Sequence, residues 1–434
     1  MMLSWIPAEL HTHTFHSDGS QSLQELAQSA KQAGIEVIAL TDHNTQSGLI
    51  DRSRVEASTG LRIVAGMEWT TFYGHMVTLG LLDYVDWRQV GQGDIEQGIR
   101  EVHKAGGIAG MAHPFRIGSP ICTGCYWEYP IHDWSQLDYI EVWSTLMPFM
   151  KQDSQRAFAL WTSLLNEGHR LAATSGRDWH RTLPDDAPAA ITYIGLEATV
   201  EQSGDGAEHQ SYAHDAEHSI DKQAQLHSEA ASDNSNSMNT YMNEQQDAVT
   251  QSSIRRVDDR QCRVNDRQHD DHPYIEAIRN GKLTITMGPV LDLYAVVYKS
   301  NAVTQAAEPV TASIRTDSSL PKGNENEVDV YTIGDTIACS ESQLRLHLQL
   351  DRSIRNSQYE LAPQKLRVVI MSDRGILAET KLDSEQPWQE WTVSIQAPAR
   401  WLRAELYGYF NDVCGMLAFT NAMYIDLIDQ IDVE

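Results

Sequence analysis

Leu10-His11-Thr12-His13-Thr14-Phe15-His16-Ser17-Asp18-Gly19 sets three histidines and an aspartate within eight positions, close to the start of the chain. In a strand, residues i and i+2 point the same way, so His11 and His13 present two imidazoles on one face. Two imidazoles and a carboxylate begin a site for a borderline metal ion, which takes roughly four to six ligands. The fold then depends on whether later strands bring further ligand-type residues to the same place.

They do so repeatedly. Ser22-Leu23-Gln24-Glu25 is a capping box, and Leu23, Leu26, Ala27, Ala30 and Ala33 make the apolar stripe of the helix it opens, with Gly34 placed to stop it. Residues 36–44 (EVIALTDHN) are a strand ending in Asp42 and His43, and a helix is expected over 45–58. Strands follow at 62–71 (RIVAGMEWTT, carrying Glu68) and 75–81 (HMVTLGL, opening with His75). A helix over 94–106, capped by Asp94, precedes the strand 108–114 (IAGMAHP), which carries His113. A strand at 139–143, a helix over 154–167, and the strands 171–180 (LAATSGRDWH, carrying Asp178 and His180) and 191–199 continue the alternation. Strands alternating with helices predict an α/β fold with a parallel sheet closed into a barrel, and such folds put their chemistry at strand C-termini.

From 201 to 272 the composition changes: fifteen acidic residues stand against six basic ones, and large apolar residues nearly vanish. Such a segment cannot bury enough apolar surface to offset its ordering entropy, so it is expected to be a disordered acidic insert. Its six histidines leave open a metal-binding tail beside the simpler reading of a solvated excursion. A short helix from Tyr274 with a Gly281 stop and a strand at 283–287 should finish the barrel. Beyond it the period changes to two: 344–350 (LRLHLQL), 391–395 and 402–406 alternate strictly. With 291–298, 366–371 and 423–428 they predict a C-terminal antiparallel β-sandwich, and 304–328 is expected to be a loop. The division is therefore 1–200 and 273–289 for the barrel, 201–272 for the insert, and 290–434 for the sandwich.

Bulk properties narrow the function. With 434 residues, two domains are expected. A formal charge of −27 argues against bulk nucleic-acid binding by counterion release, though not against a small anionic substrate drawn to metal ions. Five cysteines, with Cys122 and Cys125 a lone CxxC, make no disulfide framework. The start has no basic n-region or apolar h-region, and no run approaches the roughly 20 apolar residues of a membrane span, so a cytoplasmic location without membrane attachment is expected.

Singly, each candidate has an ordinary reading: Asp42 as a cap, His75 as a core histidine, His113 before Pro114 as a turn residue, Asp178 and His180 as a surface pair. Jointly, ligand-type residues at strand end after strand end point to a metal site. Arg116 and Arg177 stand beside two of these motifs, each either holding an anionic group or making a rim salt bridge.

His11-Thr12-His13 with Ser17-Asp18-Gly19, Thr41-Asp42-His43, Gly66-Met67-Glu68, Gly74-His75, Ala112-His113-Pro114 and Ser175-Gly176-Arg177-Asp178-Trp179-His180 resemble the successive motifs of the PHP (polymerase and histidinol phosphatase) superfamily. Tyr331-Thr332-Ile333-Gly334-Asp335 and Phe419-Thr420-Asn421-Ala422-Met423-Tyr424 resemble the tail of its carbaryl-hydrolase-like branch, which often has Pro where Ala422 stands. The resemblance implies a distorted (β/α)7, TIM-like barrel with two or three divalent ions (Zn, Mn or Fe). It implies His11, His13, Glu68 and Asp178 around one ion, Asp18, His43 and His180 around a second, and Glu68, His75 and His113 around a third. His16 would lie outside the ligand set, His103 would face solvent, and Asp42 would orient a ligating imidazole. The implied activity is hydrolysis by a hydroxide bridging the ions, with Asp178, His180, Arg116 and Arg177 nearest the reacting groups. The substrate would be a small phosphate ester or a nucleotide or oligonucleotide end, with a carbamate, ester or amide as the alternative. Aromatic residues in or near the motif loops, among them Trp69, Phe72, Tyr73, Tyr126 and Trp179, would serve as apolar walls or as core. A non-catalytic binding module would have no evident need of so many ligand-type residues.

Overall fold

The computed structural model describes residues 3–118, 124–184, 186, 189–197, 271–298, 328–339, 343–351, 361–383, 388–394 and 399–427. The acidic stretch as far as 270, the expected loop as far as 327 and Cys122 of the CxxC pair lie outside them; Cys125 is buried.

β1 (Leu3–Thr12) carries the first two histidines at its end, and α1 (Leu23–Gln32) follows with the capping box made on both sides. The Ser22 amide donates to Glu25 Oε2 at 2.7 Å, and the Glu25 amide donates to Ser22 Oγ at 3.2 Å. Leu23, Leu26, Ala27 and Ala30 are the buried face. β2 (Val37–Leu40) is buried throughout. The helix expected over 45–58 is split into a 3₁₀ turn at Ser47–Asp51 and α2 (Arg52–Thr59), which ends at Gly60 in the left-handed region. β3 (Arg62–Thr71) and β4 (Gly74–Leu79) are joined by Phe72 and Tyr73 alone. Two residues can return a chain only antiparallel, so the expectation of a uniformly parallel sheet fails here. α3 (Ile95–Lys104) buries Ile95, Ile99 and Val102, but the Asp94 side chain makes no capping bond. β5 (Ile108–Met111), β6 (Tyr139–Ser144), α4 (Gln152–Glu167), β7 (Ala172–Gly176) and β8 (Ile191–Glu197) follow.

These strands lie in the order β8-β1-β2-β3-β4-β5-β6-β7. Pairing is parallel for β1–β2, β2–β3, β5–β6 and β6–β7, and antiparallel for β3–β4, β4–β5 and β1–β8. The far end comes back to the start. The His13 amide donates to the Trp179 carbonyl and the Trp179 amide to the His11 carbonyl, each at 3.0 Å, so the segment after β7 runs parallel beside the end of β1.

A helix covers 271–279 (α5), so Asp271, three residues before the expected start at Tyr274, is already helical. Asp271 is buried and answers two arginines. It accepts from Arg52 at 2.6 and 3.0 Å, from Arg62 at 2.9 Å, and from the Ala65 amide at 3.3 Å. β9 (Leu283–Thr286) and β10 (Val290–Tyr298) follow, then β11 (Val328–Thr332), β12 (Thr336–Cys339), β13 (Gln343–Asp351), β14 (Lys365–Ser372), β15 (Gly375–Asp383), β16 (Trp388–Ser394), β17 (Trp401–Phe410), β18 (Val413–Thr420) and β19 (Met423–Leu427).

The C-terminal strands do not form a set of sheets separate from the first. β9 pairs antiparallel with both β8 and β18, and through it β12, β14, β15, β17, β18 and β19 extend the first sheet to fifteen strands. β10, β11, β13 and β16 make a second, four-stranded antiparallel sheet. One pairing departs from the antiparallel expectation, since β12 runs parallel to β19. The architecture is mixed α/β with a large share of sheet. Asn421 fastens the last strands to the α/β part: its Oδ1 accepts from the Ala173 amide at 2.6 Å and its Nδ2 donates to the Ala173 carbonyl at 2.9 Å. Trp143 meets Phe419 edge-on with centroids 4.9 Å apart. Nearby, the buried Arg403 lies 4.7 Å over the Trp161 ring and pairs with Glu405 at 2.8 Å, which satisfies a charge that burial alone would penalise. Among the described residues no helix is long and apolar enough to cross a membrane.

Candidate metal centre

Six strands contribute, in or just after their ends. His11 lies in β1 and His13 just beyond it; His43 follows β2; Glu68 is in β3 and His75 in β4; His113 follows β5; Asp178 and His180 follow β7. With Asp18 from the loop after β1, these nine residues form three overlapping groups. They are His11, His13, Glu68 and Asp178; His13, Asp18, His43 and His180; and Glu68, His75 and His113. Within a group the donor atoms lie within 4.8 Å of one another. The one difference from the sequence expectation is that His13 faces both of the first two groups.

Glu68 is the hub. Its Oε2 lies 3.1 Å from His11 Nε2, 3.4 Å from His13 Nε2 and 2.9 Å from His43 Nδ1. Its Oε1 lies 2.8 Å from His75 Nδ1 and 3.2 Å from His113 Nε2. Asp178 Oδ1 lies 2.9 Å from His13 Nε2 and 3.4 Å from His11 Nε2. Asp18 Oδ1 joins His43 at 3.3 Å and His180 at 3.0 Å.

Close approach is not the same as hydrogen bonding here. His11 Nε2, both ring nitrogens of His13, Glu68 Oε2, His75 Nε2, His113 Nδ1 and Asp178 Oδ1 are buried without a well-aligned hydrogen-bond partner. Orphaned buried polar atoms cost about 1–3 kcal/mol each, so a cluster of them aimed at common points needs a further partner. Imidazole nitrogens and carboxylate oxygens with no thiolate among them suit Zn, Mn or Fe(II), and the residues fit such ions.

The electrostatics show how tightly the charges are held. Burial alone would raise the Glu68 carboxyl, but the charges of His11 and His75 and its imidazole hydrogen bonds hold it well below the ordinary range. Asp178 is likewise held low against burial by His11, His13 and Arg116. Burial would lower His43, yet Asp18 and Glu68 carry it up to about 10. For His13 and His75 burial wins, and both are pushed down.

The backbone is bent to present these groups. Asn44 (φ 55°), His113 (φ 26°) and Asp178 (φ 54°) are non-glycine residues at positive φ, a costly conformation that clusters at functional sites. At Gly176 an added Cβ would come within 2.6 Å of His11 Cβ and closer still to the Glu141 carboxylate, so only glycine fits there.

Two carboxylates escaped the sequence reading. Glu141 in β6 sits with its Oε2 2.7 Å from His11 Nδ1, which orients that ring. Glu9 accepts from the amides of His11 (3.0 Å) and Arg177 (2.8 Å), and burial pushes its carboxyl up to about 8. The available signal was an acid inside an otherwise apolar strand, as in Tyr139-Ile140-Glu141-Val142.

Asp42, expected to orient an imidazole, instead accepts at 2.7 Å from the Thr14 amide, the Thr14 hydroxyl and the Ser17 hydroxyl. It shapes the turn that carries Asp18. His103 does not simply face solvent, since its Nε2 lies 2.7 Å from Asp138 Oδ2. His16 stands outside the three groups, its Nδ1 2.8 Å from Ser47 Oγ. Arg116 reaches the cluster by pairing with Asp178 Oδ2, whereas the Arg177 guanidinium pairs with Asp186 and lies 4.1 Å over the Trp179 ring. Trp69, Trp143 and Trp179 are core; Phe72 is exposed and Tyr126 borderline.

The PHP domain family model matches residues 9–93, a span that holds six of the nine residues and stops before His113, Asp178 and His180. An uncharacterized protein of Methanocaldococcus jannaschii is 32% identical over 127 residues, which are 26% of this chain and 70% of that protein. A phosphoribosyl 1,2-cyclic phosphate 1,2-diphosphodiesterase of Eggerthella lenta is 33% identical over 64 residues, 15% of this chain and 24% of that enzyme. A 5'-3' exoribonuclease of Haemophilus influenzae is 35% identical over 63 residues, 14% of this chain and 23% of that enzyme. The two enzymes are thus matched over only about a quarter of their length. The family model's span takes in the paired histidines of β1, Glu68 and His75, and with the Methanocaldococcus relative, 70% of which is covered, it shows that the chain belongs to the PHP family.

Proposed function

We propose that the protein is a metal-dependent phosphoesterase acting on a small anionic phosphate ester, or on a nucleotide or oligonucleotide end. The observation that carries this reading is the set of unpartnered buried nitrogens and oxygens converging around Glu68. His11, His13, Glu68 and Asp178 would hold one divalent ion, Asp18, His43 and His180 a second, and Glu68, His75 and His113 a third. Such ions, when bound, supply an acidified water and neutralise charge on the phosphoryl oxygens.

The chain's own groups do the rest. Arg116, anchored on Asp178, offers its guanidinium to a phosphoryl oxygen at the edge of the cluster. Asp178 thereby couples anion binding to the first group. His180, whose Nδ1 lies 2.9 Å from the Asp178 carbonyl, keeps Nε2 directed at Asp18 and the second group. Arg177, held by Asp186, stiffens the loop between Asp178 and the rim. A cation at the cluster favours an anionic ester over a neutral carbamate. The Eggerthella and Haemophilus relatives, named for phosphodiester cleavage, support the same choice. The return of the strand row onto β1 supports a distorted (β/α)7 barrel over 1–200 and 273–289, and the two antiparallel sheets beyond support a sandwich over 290–434.

The test is a substrate panel on metal-loaded protein: p-nitrophenyl phosphate, bis-p-nitrophenyl phosphate, nucleotides and aryl carbamates. Phosphate-ester turnover that disappears with His11→Ala and His13→Ala together is expected. Turnover of carbamates alone would replace the reading with a carbaryl-hydrolase-type activity.

A further inference from the structure

A cavity of about 680 Å³ opens beside the cluster and shares Asp18 and His43 with it. Its volume is in the range that holds a small-molecule ligand. Its walls come from the β3–β4 turn (Phe72 and Tyr73), from Trp87 and Val90, and from Tyr129.

Most polar side chains around this space are already engaged. Asn44 uses both ends of its amide on the Thr70 backbone, donating at 2.9 Å and accepting at 3.0 Å. The Thr71 hydroxyl donates to the Gly74 carbonyl at 2.9 Å and accepts from the Tyr129 hydroxyl at 2.7 Å. Thr70 Oγ1 is engaged with His43 Nδ1. Arg88, the one arginine or lysine among the described residues lining the space, is forked onto Asp86 at 2.8 and 3.1 Å. A second phosphate or a sugar would therefore have to break existing bonds to be recognised.

What remains available is aromatic surface. Phe72 is 73% exposed at the tip of a two-residue turn, and Tyr73 is braced edge-on against Tyr129 with centroids 5.5 Å apart. Single exposed apolar residues are common and need no explanation. Four aromatic side chains in the wall of one cavity, which also contains two residues of the cluster, call for one.

We propose that this cavity is a subsite for a flat aromatic or heteroaromatic ring in the ester's leaving group, so that the preferred substrates are aromatic phosphate esters. The proposal rests on the phosphoesterase reading for the ester, while the ring site itself is testable without it. The probes are benzyl alcohol for the ring alone, and benzyl phosphate against ethyl phosphate, whose leaving groups have similar basicity.

Saturation-transfer NMR from the full-length, metal-loaded protein to benzyl alcohol should be strong. It should be largely lost in Phe72→Ala and in Trp87→Ala, and retained in Ile376→Ala, an exposed apolar residue of the distant β14–β15 hairpin. In kinetics, kcat/KM for benzyl phosphate should exceed that for ethyl phosphate by about three- to tenfold, the worth of one or two aromatic contacts. That ratio should fall toward one in the two cavity variants through KM. Phe72 is exposed enough that its truncation leaves folding intact, and matching melting temperatures check this. Undiminished saturation transfer in both variants, or equal kcat/KM for the two esters in the unaltered protein, overturns the ring subsite. Loss of transfer in the variants with neither ester hydrolysed overturns the phosphoesterase reading and leaves the ring site standing.

Discussion

Glu141 Oε2 lies 2.7 Å from Nδ1 of His11, on the side of the ring opposite the Nε2 that faces Glu68 and Asp178. A carboxylate there fixes the tautomer and plane of the imidazole and strengthens it as a donor. Glu141→Gln should therefore weaken metal binding by roughly ten- to a hundredfold while the fold persists. Competition with a chromogenic chelator measures this, and an unchanged affinity would remove Glu141 from the site.

Metal removal gives a second prediction. Ions that fill the cluster bind only the folded protein, so they add RT ln(1 + [L]/Kd), about 2.7 kcal/mol at a hundredfold excess over Kd. Chelation should lower the melting temperature by several degrees, and Mn or Zn should restore it. The same treatment of the His11→Ala, His13→Ala double variant should move it far less. An identical response in both proteins would place the metal elsewhere.

Asp271 is the third test, because it is buried between Arg52 and Arg62. Asp271→Ala leaves the buried Arg52 guanidinium with Glu56, at 3.4 Å, in place of its closer partner, which costs on the order of 3 kcal/mol. Denaturant unfolding reads this loss directly. A change below about 1 kcal/mol would mean that solvent reaches the site and screens the pair.

A pH effect follows from Asp292 in β10. Burial raises its carboxyl to about 6 from the usual 3.8, with Asp351 adding to the rise. Between those values the folded protein holds a proton that the unfolded chain has released. This group's contribution therefore falls as pH rises from about 4 to about 6, then levels off. Asp292→Asn should gain stability relative to the parent across that window, by at most about 3 kcal/mol at pH 7. Parallel unfolding curves at pH 4.5 and pH 7 that give the same difference would refute the shift.

The local pattern of this sequence was enough for most strands of the α/β part and for the capping box of α1, while the full set of nine residues that meet around Glu68 came with the PHP resemblance. Strands β2 and β3 are mostly runs of buried apolar residues, so the imidazole that follows the first (His43) and the carboxylate set inside the second (Glu68) stand out as polar groups needing a partner. β11, β12, β15 and β18 were not evident: β15 pairs only with β14 and is partly solvated, so its alternation is weak.

Only the tertiary structure decided which neighbour each polar group answers to. Asp42 follows an apolar strand and Glu141 stands inside one, and one holds a turn through Thr14 and Ser17 while the other orients His11. The continuation of the sheet through β9 and β18, like the bond from Asn421 to Ala173, joins residues more than a hundred positions apart. Periodicity along a chain reports which face of an element is buried. It carries no record of what that face is buried against, because that depends on distant segments whose pairing is fixed only when the whole core closes.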